Sequence, residues 1–126
     1  MSSVGLSARS APSSDARFET WLWLAQRASA AVLALCVLVH LITIIYAVRH
    51  GLSGAAILGR TRGNAGWLAF YALYVLSIAV HAPIGLRSLC QEWLGWRSGS
   101  LNWVAAVFAL VLFVLGLRAG WAVFVG

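Results

Sequence analysis

The chain has 126 residues, 62% of them apolar and only 10% charged, whereas a water-soluble domain carries about 25% charged residues; a soluble globular fold is excluded and a membrane-embedded one indicated. Its nine basic residues are all arginine and face three acids, giving a net charge of +6. The arginines flank apolar runs and form no basic stripe, which points to juxtamembrane placement and away from nucleic acid.

Residues 1–19 read as a polar N-terminal tail rich in Ser, Ala and Arg, with Pro12. It is not a secretory signal, because the apolar run behind it is too long for one. The first span covers about residues 20–48, with Trp21 and Trp23 at one interface and Tyr46 at the other. A glycine-containing loop with Arg49, His50, Arg60 and Arg62 follows, in which Ala55–Leu58 is apolar enough for a short surface helix. The second span covers about 66–91 and contains Pro83, expected to kink it. After a turn around Gly95–Ser100, the third span covers about 101–124, apolar except for Asn102 and Arg118. The expected fold is therefore all-α: a three-helix transmembrane bundle over residues 20–126, forming part of a larger membrane domain.

Three spans put the N-terminus and the second turn on the same side, which fills an aromatic belt at each interface. The N-terminal side then holds Arg9, Arg17, Arg27, Arg87 and Arg97, and the opposite side Arg49, Arg60, Arg62 and Arg118. Five against four leans toward a cytoplasmic N-terminus. Cys36 and Cys90 fall at different depths and in no CxxC spacing, so no disulfide joins them in this reading.

The chemistry-bearing residues sit inside the spans. An ionisable side chain in hydrocarbon is costly and points to function, and histidine is suited to hold an iron porphyrin within a helix bundle. His81 lies in the second span with Gly85 one turn later on the same face, leaving room beside the backbone for a flat macrocycle. His40 lies in the first span. At about 1.5 Å per residue the two histidines differ in depth by about 15 Å, too far apart to share one iron. The third span has no His, Met or Cys, so the opposite ligands must come from another polypeptide. Cys36 and Ser77, each one turn before a histidine, read as small packing residues, His50 as a loop residue, and Glu92 as an interfacial charge near Arg87 or Arg97.

The stretch His81-Ala82-Pro83-Ile84-Gly85-Leu86-Arg87, with Glu92 eleven positions after the histidine, resembles the cytochrome b membrane-anchor subunit of succinate dehydrogenases and fumarate reductases. The likeness extends over all three spans in length and order. It implies that His81 is an axial ligand of haem b. In two-haem members a histidine on the first helix holds a second haem, which implies the same for His40. Arg87 would neutralise haem propionates and Gly85 would flank the macrocycle. The family also carries a serine and a His-Arg pair near the start of its first helix, whose serine and arginine help bind quinone. The corresponding stretch here, Trp23 to Ala30, keeps only the arginine in its place, and the resemblance implies quinone binding by Arg27 with the nearby Ser29.

The resemblance implies a non-catalytic electron-transfer subunit that passes electrons between an iron–sulfur subunit and membrane quinone, in a complex serving the tricarboxylic acid cycle. Its partners would be a flavoprotein subunit, the iron–sulfur subunit, and a second membrane anchor or a second copy of this chain, in the bacterial inner membrane. Two rival readings differ in kind: a cytochrome b of another respiratory or hydrogenase-like complex, and a haem-free structural membrane subunit.

Overall fold

A computed structural model describes residues 10–126. The first nine residues of the expected tail, Arg9 among them, lie outside the described residues. The remainder forms four helices: α1 (Ser14–Arg49), α2 (Gly54–Thr61), α3 (Ala65–Trp93) and α4 (Gly99–Val125). α1, α3 and α4 are each long and apolar enough to cross a membrane.

The helix ends follow local chemistry. α1 starts inside the expected tail, at residue 14 instead of 20, because Ser13 accepts a hydrogen bond from the Ala16 amide and Asp15 sits in the positive first turn. It stops at Gly51, whose φ of 60° is open to glycine at little cost. There the Leu52 amide donates to the Ala47 carbonyl and the Gly51 amide to that of Val48, a Schellman closure. His50 adds a ring-nitrogen bond to the Tyr46 carbonyl at 2.8 Å, so this loop histidine serves as a helix cap. Ser53 caps α2, which is the short surface helix foreseen around Ala55–Leu58. Asn64 caps α3 through the amides of Gly66 and Trp67. Pro83 is buried within α3, and the helix continues through it.

α3 is the middle element and packs against both α1 and α4. Two ties fix the vertical order. At one end the α2–α3 junction meets the end of α4, where the Gly63 amide donates to the Phe124 carbonyl and Arg62 to that of Gly126. At the other end Arg87 of α3 reaches Glu19 of α1 and Asn102 of α4. The N-terminus and the α3–α4 turn therefore share one side.

Very few of the described residues are buried within the chain. Among the described residues Cys36, Ala79, Pro83, Leu101 and Ala105 are buried, as are the polar Ser29, Thr61 and Ser77. Hydrocarbon offers no partners to polar groups, so small side chains at helix contacts bond their own backbone. Ser77 donates to the Leu73 carbonyl at 2.8 Å and Ser29 to that of Ala25 at 2.7 Å. Close approach of α3 and α4 is set by Gly116 and Gly120, which face Val75 and Tyr71. Trp21, Trp23, Trp93, Trp103 and Trp121 are exposed at the two ends of the bundle, as an interfacial belt requires.

Candidate functional site

The α1–α3 contact brings together three of the residues singled out above. His81, half-buried, turns its Nδ1 toward α1, where Ser29 Oγ lies at 3.5 Å and the Gln26 carbonyl oxygen at 3.4 Å. Ser29 is buried, with its hydroxyl also 3.0 Å from the Gln26 carbonyl. Gly85 stands one turn below His81, and a Cβ there would come 3.3 Å from the Gln26 amide nitrogen. The space expected over Gly85 is thus occupied by a side chain of α1. The carbonyl oxygen of that same Gln26 side chain is buried with no hydrogen-bond partner, and an unmet buried acceptor costs about 1–3 kcal/mol.

Arg87 lies on the same helix toward the N-terminal side and is mostly buried, its side chain 12% exposed. It grips the Glu19 carboxylate through both terminal nitrogens, at 2.7 and 3.3 Å, and donates from Nε to Asn102 Oδ1 at 2.8 Å. Phe18 lies under its guanidinium at 5.9 Å. The carboxylate partner of Arg87 is therefore Glu19, while Glu92 is exposed. Arg27, next to Gln26, is exposed with its guanidinium 5.4 Å over the Trp23 ring.

His40 is elsewhere. It is exposed, and it lines a cavity of about 310 Å³ with Thr43, Tyr46, Arg60, Trp67 and Tyr71. Arg60 lies 5.9 Å from the Tyr46 ring centre. His81 is level with Ser29, and the rise from Ser29 to His40 along α1 is roughly 16 Å at about 1.5 Å per residue. The two imidazoles occupy separate levels. Cys36 and Ser77 are buried, and Cys36 and Cys90 are both free. Among the described residues no three His, Cys, Asp or Glu side chains gather into a metal cage; a porphyrin iron needs only one axial imidazole from a given chain.

A model of the succinate dehydrogenase/fumarate reductase transmembrane subunit matches residues 8–117. The chain belongs to that family. It is accordingly an integral membrane protein, the transmembrane subunit of a succinate dehydrogenase or fumarate reductase complex that also contains soluble subunits. No curated protein and no solved structure matches it.

Within this transmembrane subunit, three participants escaped the reading of the sequence. Gln26 contributes its backbone carbonyl to His81 and its side chain to Gly85. Glu19 and Asn102 hold Arg87. The available signal was positional: Gln26 and Ser29 are three apart and share a helix face, and Asn102 is a polar residue opening an apolar span.

Proposed function

We propose that the subunit holds haem b through His81 and a second haem through His40, and relays electrons between an iron–sulfur subunit and quinone. One observation carries this: an imidazole set in a membrane-spanning helix of a family whose complexes oxidise or reduce dicarboxylates, packed at its Nδ1 edge against the neighbouring helix. Haem iron, when bound, accepts and returns one electron at a time.

This chain's residues do the holding. His81 offers one ring nitrogen from α3 and is steadied from α1. Gly85 keeps the next turn of α3 free of bulk, with only the movable Gln26 amide over it. The unpartnered Gln26 acceptor fits a site completed by a donor from outside the chain. Arg87 supplies the cation that would offset propionates, which would compete with Glu19 for its donors. His40, at its own level and open to a neighbour, fits a second ligand site. A second membrane anchor, or a second copy of this chain, would supply the remaining histidine for each haem. Arg27, exposed on α1 near the level of His81, and the nearby Ser29 are the residues proposed for quinone. The setting is the bacterial inner membrane, N-terminus in the cytoplasm, with flavoprotein and iron–sulfur subunits on that side.

A pyridine-haemochrome count on the purified complex tests this. Two haems b per complex are expected, with His81→Ala and His40→Ala each losing one. A wild-type complex with no b-type spectrum refutes it.

A further inference from the structure

Two oxygens of α1 converge on a single nitrogen of His81: Ser29 Oγ, whose proton has partners within α1, and the Gln26 carbonyl oxygen, which can only accept. Ser29 Oγ is 3.5 Å from Nδ1 and the Gln26 carbonyl oxygen 3.4 Å. A hydroxyl carries one proton. That of Ser29 is directed within α1, where Oγ lies 2.7 Å from the Ala25 carbonyl and 3.0 Å from the Gln26 carbonyl, both of which only accept. With its proton so directed, Oγ turns a lone pair to His81, as the Gln26 carbonyl does in any case. A bare Nδ1 would set a third lone pair against these two in a part-buried site. A proton on Nδ1 turns both contacts attractive.

We propose that Ser29 and the Gln26 carbonyl are positioning groups that fix His81 as the Nδ1–H tautomer, so that Nε2 is the nitrogen presented to a metal. Both distances exceed the ~2.9–3.0 Å usual for N–H···O bonds. The pair therefore selects the proton's place by the sign of the charge it meets, and aims the ring, without forming a strong bond. The tautomer is a property of this chain alone; its consequence for iron rests on the haem reading above. In metal sites a ligating histidine commonly gives its second N–H to such an acceptor, which fixes the ring and raises its basicity.

The test has two arms. In the assembled complex from haem-starved cells, 15N-histidine spectra should place the His81 proton on Nδ1; a proton on Nε2 overturns the inference, whether or not the native complex contains haem. In the haem-loaded complex, Ser29→Ala should keep the haem but lessen the electron donation of the His81 ring to the iron. At a fixed potential the reduced-to-oxidised ratio of the His81 haem should then rise by about threefold to tenfold, tenfold being about 59 mV for one electron. Ser29→Thr, which keeps the hydroxyl, should restore the wild-type value. An unchanged ratio in a haem-replete Ser29→Ala complex overturns the inference while leaving the haem assignment standing. If Ser29→Ala does not assemble, the wild-type 15N spectrum decides alone.

Discussion

Arg87 links all three spanning helices, since it stands on α3 and bonds Glu19 of α1 and Asn102 of α4. Its two partnerships are unequal. Glu19 is 56% exposed, so water and salt screen the pair and it contributes at most about 1 kcal/mol. Glu19→Gln should therefore lower the melting midpoint of the solubilised complex only slightly and leave its haem content as it is. Arg87→Ala should lower the midpoint further, because it also unfastens α4 at Asn102 and removes the cation from Phe18. Equal losses in the two variants would show Asn102 to be idle. At this scale the sequence marks the chemistry but not the pairing. Arg87 is conspicuous beside His81, whereas its carboxylate is 68 residues away on another helix. Glu92, close by in sequence, is exposed. Periodicity within one helix carries no information on which residue of the next helix stands opposite.

Among the elements, the α3–α4 pair is held by shape. A Cβ on Gly116 would sit 2.5 Å from Val75 Cγ1, while one on Gly120 would sit 3.7 Å from Tyr71 Cβ, an ordinary contact. Gly116→Ala should then force the helices apart at a cost of about 1–3 kcal/mol, and Gly120→Ala should be nearly neutral. Thermal unfolding of both variants checks the contrast, and similar midpoints would contradict it. The spans themselves were legible from apolar runs of sufficient length, and α2 from its short apolar core. The start of α1 was not, because Ser10 to Glu19 is polar by composition, and the single Ser13 cap outweighs that. The glycine pair was hidden for a related reason. Between Asn102 and Arg118 α4 is wholly apolar, so no polar face there announces which side meets a neighbour, and only the small residues do.

Over the whole molecule, both ends are rich in arginine, but the acids are not shared. Asp15, Glu19 and Glu92 all lie on the N-terminal side, and Arg49, Arg60, Arg62 and Arg118 face no carboxylate side chain on the other. Acids count little in setting orientation and arginines count strongly, which is why the five-to-four balance read from the sequence is slight. Cysteine labelling resolves it. Gly59 and Gly99 have open space where a side chain would go. In a Cys90→Ser background, Gly59→Cys should react with a membrane-impermeant maleimide from outside intact cells, and Gly99→Cys only after the membrane is opened. The reverse pattern would invert the proposed topology.

The length of α1 has a mechanical consequence. Its 36 residues extend about 54 Å at 1.5 Å per residue, against a hydrocarbon thickness of about 30 Å. Even with an ordinary tilt of about 20°, roughly 20 Å of rigid rod clears the lipid interior. Much of that surplus belongs to the amino-terminal turns, where Glu19 braces against Arg87. A peripheral subunit resting on this stalk would be held at a height that the stalk dictates, and excising a single turn would lower its perch by about 5 Å.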